Sequence, residues 1–329
     1  CSFSNYFGIN IICSAQRSFH RKKEVIKMED GKTRAYAKIT SSVLRHTAQF
    51  FHANNFAQLM PVILSPITDP LGPDPASSVI KTGEIEYLGC RLQLTQSMIL
   101  HKQLAVRKGI QKLFIISPNV RLEHPKRRES GRHLFEFSQV DFEIAHAKSE
   151  DVFRLMESFL ACLLPKIGSE CADELELLGR TLPKISAPFP ISTTHELASK
   201  YGDDWEIPAS LDAAQPFWAL CHKREFYDKE DPCEPGHYLN YDLIYPEGFG
   251  EALSGAEREH DYGTIMRKIG RDHLDCGRYA PYLEIAKGGL TPSAGGGFGV
   301  ERLVRFLSGA THVGDVQLFR RVPGEEIIV

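Results

Sequence analysis

One stretch of the sequence, residues 132–144, constrains the fold more than any other. Its residues are RHLFEFSQVDFEI, which we interpret as a long β-strand, in which alternate side chains share one face. One face of this predicted strand carries Leu134, Val140, Phe142 and Ile144 and belongs to a core. The other face carries His133, Phe135, Phe137, Gln139, Asp141 and Glu143. Such a face is either a solvated surface with incidental carboxylates or the floor of a cleft, where a ring stacks on Phe137 and an amine meets Asp141.

Other segments predict the elements around this strand. Apolar residues recur every three or four positions over residues 33–54, which predicts an amphipathic helix with Thr33 as its N-cap. Residues 59–64 predict an edge strand, because Pro61 removes one donor from a hydrogen-bond ladder. Further strands are predicted at 84–94 (a hairpin), 112–117, 217–221, 241–245 and 249–253, and further helices at 97–108, 150–167, 193–201, 256–269 and 300–307. Strands in hairpins, with helices gathered between them, favour an antiparallel α+β sheet over a doubly wound parallel one.

The composition excludes several classes of protein. The chain has 329 residues, 42% hydrophobic and 25% charged, which is the balance of a globular protein. No apolar run reaches the ~18 residues of a membrane span. Lysine and arginine total 39 against 42 acidic residues, so the net charge of −3 gives no global field for nucleic acid. The eight cysteines are too sparse for a disulfide scaffold, so we expect reduced thiols and a cytoplasmic protein.

A group of basic residues precedes the long strand. Arg121 and Glu123 follow the predicted strand at 112–117, and the next loop carries Lys126, Arg127 and Arg128. Guanidinium groups bind phosphate oxygens with two parallel hydrogen bonds. Arginines that face an aromatic ring therefore suggest a nucleotide site, although a run of charge is otherwise a solvated surface.

Two further segments suggest phosphate chemistry. Asp242 and Glu251 lie on neighbouring predicted strands, with Ser254 nearby. Magnesium usually takes one or two protein carboxylates and completes its shell with water and phosphate oxygens, so these three residues suit it. The glycine-rich run PSAGGGFGVER (292–302) enters a helix and allows close backbone approach to a ligand, with Arg302 in the first turn. This run lacks the lysine and hydroxyl residue of a P-loop, so alone it is weak evidence.

Together these motifs resemble the class II aminoacyl-tRNA synthetases. Residues 121–123 with RHLFEF (132–137) are similar to the second signature motif of that class, GFGVER (297–302) to the third, and the helix and strand ending near Pro61 to the first. QSMILHKQ (96–103), FSQVDFE (137–143) and GEALSGAER (250–258) resemble the aspartyl and asparaginyl branch. The resemblance covers about residues 33–323, and it implies a mostly antiparallel sheet flanked by helices.

The resemblance also implies how the chain is divided. We expect an extension over residues 1–32 and a catalytic domain over residues 33–329. The basic residues between 17 and 27 could belong to a transit peptide, although we prefer a disordered extension, and Met28 is the first methionine. Thirty-two residues are too few for the anticodon-binding barrel of these synthetases. The chain is therefore most similar to the stand-alone, archaeal-type asparagine synthetases related to asparaginyl-tRNA synthetase.

Individual roles follow from the resemblance alone. For ATP, it implies Arg121 at the α-phosphate, Glu123 on the adenine side or near the nucleophile, His133 and Arg302 at the γ-phosphate, and Phe137 stacked on adenine. For magnesium, it implies Asp242, Glu251 and Ser254. For the amino acid, it implies Asp141 and Gln139 at the ammonium group, Lys102 and Arg258 at the side-chain carboxylate, and Ser97 as a further substrate contact. The family has glutamine where this chain has Ile99, often histidine at Ser293, and proline at Arg320. The first two departures make the exact substrate less secure than the nucleotide.

The implied reaction uses ATP and Mg²⁺ to convert aspartate into aspartyl adenylate, with Arg121 and Arg302 as the catalytic residues. Ammonia then attacks, giving asparagine, AMP and pyrophosphate. Two alternatives stay open, namely transfer to another amine or to tRNA, and a non-catalytic paralogue. We expect aspartate and ammonia or a small amine as partners, a homodimer formed through the first motif, and neither tRNA nor a membrane. The basic loop at 126–128 is the feature that favours tRNA.

Overall fold

We describe the chain from a computed structural model. The structure describes residues 7–69, 79–222, 225–234 and 236–327, without the side chains of residues 7–29 and Lys81. The first part of the chain contains α1 (Phe7–Ala53), β1 (Ala57–Gln58), β2 (Leu64–Ser65), β3 (Val79–Lys81), β4 (Glu84–Tyr87), β5 (Cys90–Leu94), α2 (Ile99–Arg107), β6 (Lys112–Val120) and β7 (Leu122–Glu123). A 3-10 helix (Pro125–Ser130) follows, and then β8 (Glu136–Ala145), α3 (Ser149–Glu170) and α4 (Ala172–Leu177).

The second part of the chain completes the sheet. It contains β9 (Ile191–Thr193), α5 (Thr194–Tyr201), α6 (Glu206–Asp212), β10 (Phe217–Leu220), β11 (Asn240–Tyr245), β12 (Gly250–Glu257), α7 (Tyr262–Arg271), α8 (Ala280–Ala286), β13 (Ser293–Gly299) and α9 (Val300–Ser308). Short 3-10 helices lie at Cys276–Tyr279 and Val313–Val316. Among the described residues, no helix is long and apolar enough to cross a membrane.

A sheet of eight strands forms the centre of the fold. Its order is β1-β6-β8-β13-β12-β11-β10-β9, and only the outermost pairs, β1 with β6 and β10 with β9, are parallel. Two smaller sheets, β2-β5-β4 and β3-β7, lie beside it. None of the sheets in the described ranges closes into a barrel. The predicted antiparallel α+β architecture is confirmed.

The core lies on the apolar face of β8, as predicted. Val140 and Phe142 are fully buried there beneath α1 and α3. The ring centroid of Phe51 lies 5.0 Å from that of Phe114 and 5.5 Å from that of Phe142. Burial of each such ring stabilises the fold by about 1.5–3 kcal/mol. Because this face of β8 packs in the core, the polar side chains of β8 lie on the opposite face of the sheet.

Several predicted boundaries are wrong. Strand β8 begins at Glu136, because the amide of Phe135 donates to the Arg321 carbonyl (2.9 Å) rather than to the ladder with β6. His133 and Phe135 therefore precede the strand. Residues 59–64 are not one strand, since Pro61 lies in the connection between β1 and β2.

Another wrong boundary is that of the helix predicted at 256–269. Ala256 belongs to β12, whose small residues fit the middle of the sheet, and the helix begins instead at Tyr262. Asp261 caps it by accepting a hydrogen bond from the Thr264 amide (2.8 Å).

Helix α1 covers the segment predicted at 33–54 and ends within one residue of that prediction. It also extends backwards to Phe7, so Thr33 lies inside the helix rather than at its N-cap. Residues 1–6 lie outside the described residues. The division into an extension over residues 1–32 and a catalytic domain stays a prediction.

Candidate active site

A cavity of about 570 Å³ opens on the polar face of β8. The side chains predicted to bind ATP all line it, namely Arg121, Glu123, His133, Phe137, Glu251 and Arg302. So do those predicted for the amino acid, which are Ser97, Lys102, Gln139, Asp141 and Arg258. Ser254 also contributes to the wall, whereas Asp242, opposite it in the sheet, is buried and is not a lining residue. Residues far apart in the sequence meet because β8, β13 and β12 are adjacent in the sheet.

The glycine-rich run is a central strand of the sheet, and Gly296, Gly297 and Gly299 line the cavity. Gly297 lies across from Asp141, and Gly295 across from Glu143. A Cβ at Gly297 would lie 2.9 Å from Asp141 Oδ1, 3.0 Å from Gln139 Cδ and closer still to Gln139 Nε2. Side chains on β13 would therefore collide with the polar side chains of β8. The glycines make room for the floor of the cavity, and the strand then enters α9 as predicted.

Arginine side chains surround one end of the cavity. The Arg121 guanidinium lies over the ring of Phe137, 5.2 Å from its centroid, and its Nε donates to the Gln96 carbonyl (3.1 Å). Arg127 and Arg132 line the same cavity. A planar ring beside several guanidinium groups fits an aromatic base carrying phosphates.

The pKa of His133 reflects its burial and the positive charge at this end of the cavity. Its Nδ1 lies 2.6 Å from Ser130 Oγ. Desolvation, followed by the positive charges of Arg302, Arg132 and Arg127, lowers the pKa of His133 to about 2. The imidazole is therefore neutral at physiological pH, and an anion would be needed to make it a cation.

Ion pairs are buried at the other end of the cavity. Lys102 Nζ lies 2.9 Å from Asp141 Oδ1 and donates to the Gly296 carbonyl (2.9 Å). Arg258 Nε lies 3.1 Å from Glu143 Oε1, and its Nη1 lies 3.3 Å from Asp228 Oδ1. Both predicted clamp residues thus already have carboxylate partners within the chain. Their roles toward the amino acid, and those of Asp141 and Gln139, stay predictions.

Asp242 and Ser254 are directly opposite each other on β11 and β12. The register shifts between Leu243 and Ile244, which places Glu251 opposite Ile244. This bulge adds one residue to β12, so Glu251 and Ser254 both reach the cavity although three positions separate them. Asp242 Oδ2 lies 3.4 Å from His222 Nε2.

The ligand atoms available at this point are of the type that magnesium prefers. All three predicted ligands, Asp242, Glu251 and Ser254, present oxygen, and magnesium needs only one or two protein carboxylates when phosphates supply the rest. The described residues contain no group of three or more His, Cys, Asp or Glu side chains placed to hold a metal ion. The set therefore fits a cation that arrives with a phosphate ligand better than one held by protein alone.

Several lining residues were not predicted. Glu206 on α6 pairs with Arg132, and no pattern around residues 194–212 pointed to it. Both carboxylate oxygens of Glu301 accept from the Ser138 amide (2.9 and 3.0 Å), and burial raises the pKa of Glu301 to about 6. Glu301 belongs to the segment GFGVER (297–302), and this position could have identified it as a site residue.

Comparison with known protein families matches residues 16–323 to the tRNA synthetases class II (D, K and N). The chain belongs to this family. An asparagine–tRNA ligase from Thermoplasma acidophilum is 27% identical over 289 residues, which cover 82% of this chain and 65% of that protein. This class II synthetase chain thus spans less than two thirds of that relative's length.

Solved structures of the same family have the same architecture. The asparaginyl-tRNA synthetase of Pyrococcus horikoshii, complexed with asparaginyl-adenylate, superposes with a TM-score of 0.81 at 25% identity over 90% of this chain and 70% of that one. The Entamoeba histolytica asparaginyl-tRNA synthetase in complex with asparaginyl-adenylate gives a TM-score of 0.75 at 22% identity, over 88% and 67% of the two chains. The predicted resemblance to the aspartyl and asparaginyl branch is confirmed.

Proposed function

We propose that this class II synthetase chain activates an amino acid of the aspartate or asparagine type with ATP, forming an aminoacyl adenylate and pyrophosphate. The observation that carries the proposal is the distribution of charged side chains in the cavity. Arg121 lies over the ring of Phe137, Arg302 and the neutral His133 line the same cavity, and Asp141 is paired with Lys102 on its floor. A nucleoside triphosphate fits beside the arginines and the ring, and a small zwitterion fits beside the ion pair.

The chemistry needs positioning and charge neutralisation rather than an enzyme nucleophile. An amino-acid carboxylate oxygen bonds to the α-phosphorus while the bond from that phosphorus to the bridging oxygen breaks, releasing pyrophosphate. Arg121 would stabilise the charge that develops at the α-phosphate, and Arg302 the charge on the leaving group. Mg²⁺ held by Glu251, Ser254 and Asp242 would neutralise phosphate charge. Phe137 would fix the base, so that the α-phosphorus lies over β8.

The cations near the amino acid favour a neutral side chain. Lys102 and Arg258 are each within 3.1 Å of a carboxylate of the chain, and both are almost fully buried. A substrate carboxylate would have to displace or share these partners, at a cost that a carboxamide avoids. We therefore place asparagine ahead of aspartate as the activated amino acid.

Conversion of aspartate to asparagine with ammonia is the second candidate. It is favoured by the net charge of −3, since a protein that docks a long polyanion usually presents a basic surface. Lys126 and Arg128 are exposed on the 3-10 helix at Pro125–Ser130, while Arg127 lines the cavity. This helix therefore offers tRNA only a small basic surface. The cytoplasmic location predicted from the sequence is part of either candidate.

A homodimer completes the proposal. Large apolar side chains are exposed on or beside the sheet β2-β5-β4, among them Met60, Ile85, Tyr87 and Leu88. Met60 and Leu88 are 86% and 85% exposed. Several exposed large apolar side chains on one small sheet and its flanks are typical of an interface between chains.

The experiment is ATP–pyrophosphate exchange with asparagine and with aspartate in separate reactions. Exchange that requires asparagine supports the first candidate, and product analysis with total tRNA or ammonium chloride then identifies the acceptor. Free asparagine formed from aspartate only with ammonium, with one AMP per product, would support the second. Absence of exchange with either amino acid, in a folded chain that binds ATP, would contradict adenylation itself.

A further inference from the structure

Four residues at the phosphate end of the cavity form a closed ring of contacts. Glu206 pairs with Arg132 Nη1, and the Arg132 carbonyl accepts from Arg302 Nε (3.3 Å). Arg302 Nη1 lies 3.1 Å from Glu251 Oε1, and the Glu251 amide donates to Glu206 Oε1 (2.8 Å). All four residues line the cavity. Glu206 therefore contacts Arg132 directly and is linked to Arg302 through Glu251.

Glu206 is held in place by the packing of its helix. Ser210 on α6 is fully buried, donates to the Tyr245 carbonyl (2.6 Å) and accepts from the Gly250 amide (3.1 Å). Gly250 has a φ of +73°, and a Cβ there would lie 2.6 Å from Glu206 Oε1 and 2.7 Å from Arg132 Nη1. The helix and the glycine together let the carboxylate reach across β12.

Arg132 depends on such a partner for its position, because its backbone lies outside the sheet. It lies between the 3-10 helix and β8, outside both, so no ladder fixes its backbone. A guanidinium has donors on several sides, so one carboxylate can hold it while other N–H groups face a phosphate. A carboxylate placed among arginines also opposes a phosphate by charge. The carboxylate favours the reaction only if the order that it imposes on the two arginines outweighs this repulsion.

We propose that Glu206 is a positioning residue of the adenylation site, which orders Arg132 and Arg302 for the polyphosphate group before ATP binds. The inference rests on the proposed function. Glu206 does not contact the reacting atoms. It acts through Arg132 and through the Glu251 backbone, and what it contributes is the geometry of the charged groups around the leaving pyrophosphate.

The test is a double-mutant cycle of Glu206→Gln and Arg132→Gln, measured by pyrophosphate exchange. The E206Q side chain keeps an acceptor for the Glu251 amide but loses the charge that holds Arg132. We expect kcat to fall about tenfold or more in E206Q, while KM for ATP rises by no more than about threefold and by no more than in R132Q, because misplacing Arg132 costs the transition state more than the ground state. In the R132Q background, the same substitution should lower kcat by less than about threefold. D212N on the same helix, which removes the pair with Lys200, is the matched control and should retain wild-type kinetics.

Binding of inorganic tripolyphosphate, measured by calorimetry, gives a readout that does not need turnover. Arg132→Gln should weaken this binding more in the wild type than in E206Q, since Arg132 is ordered only when Glu206 is present. A larger effect in E206Q would mean that Glu206 competes with phosphate, and equal effects would mean that the two residues act independently. Either of these calorimetric results would overturn the inference. A kcat in E206Q equal to that of the wild type would also overturn it. If the wild type shows no exchange with any amino acid, the proposed function fails and the calorimetric cycle still decides the role of Glu206.

Discussion

Replacement of Gly297 by alanine should separate amino-acid binding from nucleotide binding. The new Cβ would lie 2.9 Å from Asp141 Oδ1 and 3.0 Å from Gln139 Cδ, whereas ordinary contacts begin at 3.4 Å. Asp141 is tied to Lys102, and Gln139 Oε1 accepts from Asn119 Nδ2 (2.8 Å), so neither side chain can move without losing a partner. The carboxylate must retreat by about 0.5 Å and the amide by more.

The size of the effect follows from this displacement. Overpacking of this kind costs about 1–3 kcal/mol of stability. A displacement of about 1 Å at a reacting site costs about a hundredfold in rate, so we expect a 10- to 100-fold fall in kcat/KM for the amino acid. Affinity for ATP should change by less than about threefold, because Arg121, Phe137 and Arg302 keep their positions.

The assay is pyrophosphate exchange at varied amino-acid concentration, together with thermal unfolding. Gly270→Ala is the matched control, since a Cβ at Gly270 meets no atom within 4 Å. That residue lies in α7, where alanine should stabilise the helix by up to about 1 kcal/mol and leave the exchange rate unchanged. A folded G297A protein with wild-type kcat/KM for the amino acid would refute the account of the glycine-rich strand.

Three further predictions concern the rest of the site and the assembly. Arg121→Ala or Arg302→Ala should each cost about 3 kcal/mol of transition-state stabilisation, or roughly a hundredfold in pyrophosphate exchange, and wild-type exchange in either variant would mean that the nucleotide site lies elsewhere. The ring of His133 should stay neutral in NMR titrations of the free chain between about pH 5 and 8. Bound triphosphate would neutralise the neighbouring arginines and raise the pKa of His133 from about 2 toward the ordinary 6.5, so an unchanged titration on ATP binding would count against the assignment. Sedimentation at micromolar concentration should give twice the 37.0 kDa chain mass, and Leu88→Asp should shift the population toward monomer, whereas a fully active wild-type monomer would exclude the proposed dimer.

The sequence predicted the floor of the cavity well because strand periodicity is a local property. Alternation alone assigned Phe142 to the core and Asp141 to the opposite face, and the structure agrees. The same reasoning failed at residues 132–135, which were included in the strand although the ladder has ended before Glu136. What ends the strand there is a hydrogen bond from Phe135 to Arg321, nearly 190 positions away, which no local pattern encodes.

Other features depended on tertiary packing in the same way. The run around Gly297 has the composition of a loop, and it forms a strand only because β8 supplies the polar side chains that occupy the space above it. The shift opposite Ile244, which brings Glu251 and Ser254 to one face, leaves no trace in the order of residue types. Glu206 reaches the site from a helix of seven residues whose position is set by contacts with β11 and β12.

The two ends of the cavity rest on supports of different stiffness. Asp141 and Glu143 project from β8 in the middle of the eight-stranded sheet, where β6 and β13 restrain them on both sides. Arg127 and Arg132 belong to a 3-10 helix and the segment after it, which open at a lower free energy than central strands. The amino-acid end therefore rests on the more rigid part of the fold, whereas the nucleotide end owes its order to side-chain contacts such as that of Glu206 with Arg132. Amide hydrogen exchange should be slowest in β8 beneath the amino-acid end and faster over the 3-10 helix at Pro125–Ser130.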